Sequence, residues 1–118
     1  MRPSVLLCTA DVARAEAFYV GLGFKLRRHS RSGGWTELEW SDLLLFLHHA
    51  QTLPPANGRL QLGFEAQEPL EILSARLIER GVAVSAEIVD EGFGRTLSLR
   101  DPDDNELVIV EHEPELYA

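Results

Sequence analysis

The order of apolar runs, helical stripes and glycine stops in the first half of this chain recurs in the second, displaced by about 55 residues, and self-similarity of that kind marks a supersecondary unit used twice. In the first copy, Val5 to Cys8 is a continuous apolar run, as a strand buried on both faces requires. Asp11 stands where a helix N-cap belongs, and Val12, Ala15, Phe18, Tyr19 and Leu22 follow with the spacing of one helical face. Gly21 and Gly23 mark the end of that helix. Three strands are predicted next, at Phe24–Arg28, Trp35–Trp40 and Leu43–His48, separated by turns at Ser32-Gly33-Gly34 and Ser41-Asp42.

The second copy keeps this order. Leu60–Glu65 reads as a strand, and Pro69 suits the first position of a helix whose stripe is Leu70, Leu73, Leu77 and Ile78, with Gly81 as its stop. Strands are predicted near Val82–Ile88, Arg95–Arg100 and Glu106–Glu111. A polar linker containing Pro54-Pro55 and Asn57-Gly58 lies between the copies. The reading is an α+β chain forming a single domain of two βαβββ modules, residues 3–50 and 59–113, joined by a linker over 51–58. A helix covers only one face of each sheet, so curved mixed sheets built this way are expected to leave a cleft lined by alternate strand residues.

With 118 residues the chain is long enough for a core without staples, and its single cysteine, Cys8, excludes an internal disulfide. The apolar run before Cys8 is too short for a signal segment, and no run approaches a membrane span, so the expected compartment is the cytoplasm. The formal charge of −8 disfavours nucleic acid and anionic membranes as partners and is compatible with a cationic small molecule, although plain solubility is the weightier account of it.

Two stretches carry a resemblance to a known family. Thr9 to Tyr19 through Leu22-Gly23-Phe24 resembles the first strand, helix and "LGF" turn of the glyoxalase/bleomycin-resistance (vicinal oxygen chelate) superfamily. Phe93-Gly94-Arg95 through Leu99-Arg100-Asp101-Pro102-Asp103-Asp104-Asn105-Glu106-Leu107 resembles its "G-R…DPDGN" run before the last strand. Asp104 occupies the glycine position of that turn and is expected in the left-handed region, at a cost of about 1 kcal/mol.

The resemblance implies four metal-ligand positions, one on each of four strands, and they fall on Ser4, Phe46, Arg59 and Val108. Phenylalanine and valine donate nothing, and arginine brings the wrong charge, so neither a metal nor another cofactor is expected. By the same resemblance the chain is closest to metal-free bleomycin-resistance-type proteins, which sequester an antibiotic as homodimers. Trp35 and Phe93 match the aromatic positions that line the drug crevice in those proteins. With Phe46, His48, Arg59 and Arg95 they form the expected ligand-binding set. Aromatic faces suit stacking on planar rings, and they hold cations as well.

Plainer roles stand beside these. Trp35 can simply start a strand, His48 can be a solvated rim histidine, and Arg59 can pair internally with Glu106 or Glu111. Trp40, on the face opposite Glu37 and Glu39, is expected to be buried under a helix or at an interface. No nucleophile–base set stands out, so no catalytic residue is assigned. The alternative function is a metal-dependent lyase, isomerase or dioxygenase whose ligands have moved to Glu37, Glu39, His48, Glu106 or Glu111. A partner-binding module is the third reading.

Overall fold

The computed structural model describes residues 1–55, 59, 61–84 and 87–116. The expected turn at Asn57-Gly58 and the strand start at Leu60 lie outside them. The chain divides into two compact units, Met1–Gly58 and Arg59–Ala118.

The first unit contains β1 (Ser4–Thr9), α1 (Val12–Leu22), β2 (Lys25–His29), β3 (Trp35–Trp40) and β4 (Leu43–His49). Its sheet runs in the order β1-β4-β3-β2, with β1 parallel to β4 and the other pairs antiparallel. Asp11 caps α1, its side chain accepting from Arg14 N at 3.1 Å. Helix α1 packs on β3 and β4. The core between them is Ala15, Tyr19, Leu22, Leu38, Leu45 and Leu47. Each is removed from water, and burying a leucine-sized side chain stabilises by about 1.5–3 kcal/mol.

Gly23 ends α1 at φ 138°, and a Cβ there would come within 2.7 Å of the Trp40 ring. Trp40 therefore does lie toward the helix, edge-on to Phe24 with centroids 5.2 Å apart. It is nevertheless 42% exposed, not buried as the alternation predicts, because it sits at the very end of the helix it covers.

The second unit repeats the topology with β5 (Leu62–Glu65), α2 (Leu70–Glu79), β6 (Val89–Glu91), β7 (Gly94–Arg100) and β8 (Glu106–His112), followed by one 3-10 turn at Pro114–Leu116. The sheet order is β5-β8-β7-β6, with β5 parallel to β8. Leu70, Leu77, Leu97, Leu99, Leu107 and Ile109 form its core.

Two details differ from the sequence reading. Pro69 is the cap and not the first helical residue: its ψ of 140° is extended, while its carbonyl accepts from Leu73 N. Proline offers no capping side chain, and Glu111 of β8 takes that role, accepting from Leu70 N at 2.8 Å. The strand expected near Val82–Ile88 lies partly outside the described residues (85 and 86), and the strand described in this part of the chain is the short β6, Val89–Glu91. Val82 is buried because it closes α2: its N–H reaches Leu77 O while Gly81 N reaches Ile78 O, the pairing of a Schellman stop.

The turn from Asp101 to Asn105 has the expected form. Asp104 has φ 65°. Asp101 Oδ1 accepts from Asp103 N and Asn105 N at 2.9 and 2.8 Å, and its Oδ2 accepts from Asn105 Nδ2 at 2.7 Å. Among the described residues no helix is long and apolar enough to cross a membrane.

Candidate functional site

Side chains alternate across a strand, so α1 can cover only half of the first sheet's residues. Leu38, Leu45 and Leu47 face the helix, which leaves Trp35 and Glu37 of β3 and Phe46 and His48 of β4 on the far side. Register places them as two cross-strand pairs, Trp35 opposite His48 and Glu37 opposite Phe46. Leu6 of β1, next to Phe46, is 50% exposed and extends the apolar surface.

Three of the predicted ligand-binding residues therefore meet. The Trp35 and Phe46 rings lie 5.1 Å apart with planes tilted by 33°, and His48 stands edge-on to Trp35 at 5.7 Å. Such aromatic pairs contribute about 0.5–1.5 kcal/mol beyond area burial. The result is a flat, partly exposed platform.

Glu37 lies beside it with a side chain only 10% exposed. Both carboxylate oxygens are engaged: Arg28 Nε donates to Oε1 at 2.8 Å, Arg27 donates to the same oxygen at 3.2 Å, and Trp35 Nε1 donates to Oε2 at 2.8 Å. The carboxyl is held below the ordinary carboxylate range, first by the Trp35 hydrogen bond and then by Arg28 and Arg27, against the opposing effect of burial. Both arginines reach one glutamate because β2 carries an irregularity between Leu26 and Arg28. Neither arginine is in the predicted site, since a bulge leaves no mark in the alternation pattern.

The other three predicted residues belong to the second unit, where Arg59 and Arg95 have side-chain partners within that unit. Arg95 lies on the α2 side of its sheet, in line with Leu97 and Leu99. It donates twice to Glu71, at 3.0 and 2.7 Å, and twice to Glu111, at 2.9 Å each. Four of its five N–H donors are thereby used within the unit. Glu71 is held below the ordinary range chiefly by this hydrogen bonding, and Arg95 is held more firmly protonated by Glu71 and Glu111. Gly94 fixes the geometry: at φ 146° it brings its backbone so close to Glu111 that a Cβ would lie 2.0 Å from the Glu111 carbonyl oxygen. Arg59 donates to Asp103 O and Asn105 Oδ1, bracing the Asp101–Asn105 turn where Glu106 or Glu111 was the expected partner. Phe93 remains partly exposed, 6.3 Å from the His112 ring.

The residues do not fit a divalent ion. Phe46 and Val108 have no donor atoms, and Arg59 is tied to the turn. The alternative carboxylates carry arginine or glutamine partners: Glu39 with Arg2, Glu106 with Gln61 and Arg100, Glu111 with Arg95. Among the described residues no group of three His, Cys, Asp or Glu side chains is placed to hold a metal.

Two four-stranded mixed sheets of one topology, each with one helix, define a paired-module α+β protein. The model of the Glyoxalase/Bleomycin resistance protein/Dioxygenase superfamily matches residues 3–109, and the chain belongs to that superfamily. A search of curated proteins returned no match. Among solved structures, the chain is similar to TnmS3, an antibiotic binding protein from Streptomyces sp. CB03234, at 28% identity and TM-score 0.74, with 96% of each chain covered. It shares its fold with the bleomycin resistance determinant encoded on transposon Tn5, at 21% identity and TM-score 0.72, covering 96% of this chain and 98% of that one. It shares it equally with a lactoylglutathione lyase from Agrobacterium tumefaciens, at 19% identity and TM-score 0.71, covering 94% and 92%. The fold alone thus accommodates both binding and catalysis, and the side chains must decide between them.

Proposed function

We propose that this is a metal-free small-molecule binding protein of the bleomycin-resistance type, which sequesters a planar aromatic ligand, such as an antibiotic, without altering it. The observation that carries the reading is the Trp35–Phe46 platform, whose neighbouring carboxylate has both oxygens engaged by Trp35, Arg27 and Arg28. A platform of that kind binds by stacking, while a carboxylate so engaged is poorly placed to accept a proton from substrate or to ligate a metal. The likeness to an antibiotic binding protein supports it. The two modules act as one domain, and the protein works as a cytoplasmic homodimer, a state that sedimentation would detect as twice the 13.2 kDa chain mass.

Titration with antibiotics that carry planar aromatic rings, bleomycin included, tests the proposal through the Trp35 indole resonance. Saturable shifts, full recovery of unaltered ligand by chromatography, and loss of binding by about tenfold in Trp35→Ala are expected, since stacking on one aromatic contributes about 1–3 kcal/mol. Conversion of the ligand, or unchanged affinity in Trp35→Ala, would contradict it.

A further inference from the structure

The net charge of −8 is unevenly placed. Residues 1–58 hold six Lys/Arg against five Asp/Glu, whereas residues 59–118 hold five against fourteen. The acidity compatible with a cationic ligand thus belongs to the second unit, and the platform belongs to the first.

Around the platform the balance is positive. Glu37 already accepts from Trp35, Arg27 and Arg28, and Glu39, next on the same strand face, is bound by Arg2 at 3.1 Å. Arg28 spends only Nε on Glu37, and its side chain is 64% exposed, so both Nη groups lack a partner among the described residues. Arg27 contributes one Nη to Glu37 and is 33% exposed. The exposed His48 ring makes no hydrogen bond among the described residues. Among the described residues of the first unit, a cation stacked on Trp35 would find two guanidinium groups, and the two carboxylates on that strand face, Glu37 and Glu39, already carry basic partners. An anionic oxygen on the rim of a stacked ring would find a guanidinium whose geometry matches it.

We infer that the ligand of this platform is a planar aromatic anion, a ring system bearing a carboxylate or phenolate oxygen that Arg28 receives. The inference rests on the stacking role proposed above and names the ligand's chemical class.

The test uses three ring-matched probes on the full chain: 2-naphthoate, 2-naphthalenemethanol and the 2-naphthylmethylammonium cation. The indole N–H resonances of Trp35 and Trp40 report each titration, Trp40 serving as the control because it lies on the helix side. We expect Trp35 to shift with all three, with naphthoate bound more tightly than the cation by about five- to tenfold at low salt. Arg28→Gln should reduce that preference to within about twofold, and Arg28→Lys should keep most of it. Arg28 is exposed enough that neither change threatens folding. Equal or tighter binding of the cation would overturn the inference while leaving the stacking role intact. No Trp35 shift with any probe would overturn both.

Discussion

The indole of Trp35 donates to Glu37 two residues further along the same strand face, at 2.8 Å, and the same indole stacks against Phe46 across the strand pair. One residue thus supplies the flat surface and also donates to one oxygen of the neighbouring carboxylate. Trp35→Phe separates these roles. It keeps an aromatic ring but removes the donor that most lowers Glu37, so the Glu37 carboxyl should titrate at higher pH in the variant. Stability should fall by about 1 kcal/mol, the usual value of one such hydrogen bond. Carbon-detected NMR titration and urea denaturation measure the two effects.

Glu37 makes the stability pH-dependent in a definite direction. Its folded-state carboxyl is lowered, so its contribution is present above the unfolded value of about 4.3 and is lost as pH falls through the lower folded value. Glu37→Gln should therefore cost about 2 kcal/mol at neutral pH, by weakening charge-assisted bonds in a mostly buried position, and progressively less below about pH 4. Denaturant midpoints of the two proteins compared between pH 7 and 3 provide the check.

Glu111 is a structural residue in the second unit, where it caps α2 through Leu70 N and holds Arg95. Glu111→Ala should lower stability by about 2 kcal/mol through the lost cap and ion network. The affinity of ligands that shift Trp35 should stay within about twofold, since no bond of the platform involves Glu111. Thermal denaturation and the Trp35 titration read these outcomes separately.

Asp104 has φ 65° in the turn before β8, a conformation glycine adopts without penalty. Asp104→Gly should stabilise the protein by about 0.5–1 kcal/mol, the surface ion pair of Asp104 with Arg100 offsetting little of that gain. Equilibrium unfolding in urea measures it.

The repeat was legible because it is written in apolar spacing, which burial alone dictates. Ala15, Tyr19, Leu38 and Leu97 declare their positions by period, and Asp11 and Asp104 declare theirs by backbone chemistry, whereas the apolar run Val5–Cys8, read as buried on both faces, leaves Leu6 50% exposed. Trp35 and Phe46 entered the expected site through the family resemblance and His48 through alternation with Phe46 along one strand, while their meeting depends on the β3–β4 register. Three features were not legible. The β2 irregularity that turns both Arg27 and Arg28 toward Glu37 depends on cross-strand register, which local sequence does not encode. Arg95 reads as a site residue by its motif, yet it shares a sheet face with Leu97 and Leu99, and two glutamates from separate elements converge on it. Val82 has the apolarity of a strand residue but spends it on closing a helix.

The central claim is that ligand binding here proceeds without a metal, and metal content measured on protein purified without chelator tests it most directly, with the thermal shift on adding Ni²⁺, Zn²⁺, Mn²⁺ or Fe²⁺ read on the same preparation. A ligand that binds only the native state raises the apparent stability by mass action. The donor-poor positions Ser4, Phe46, Arg59 and Val108 predict less than stoichiometric metal and no shift. One bound metal per chain with a clear stabilisation would contradict the account and move the carboxylates of Glu37, Glu39, Glu106 and Glu111 into the role of ligands.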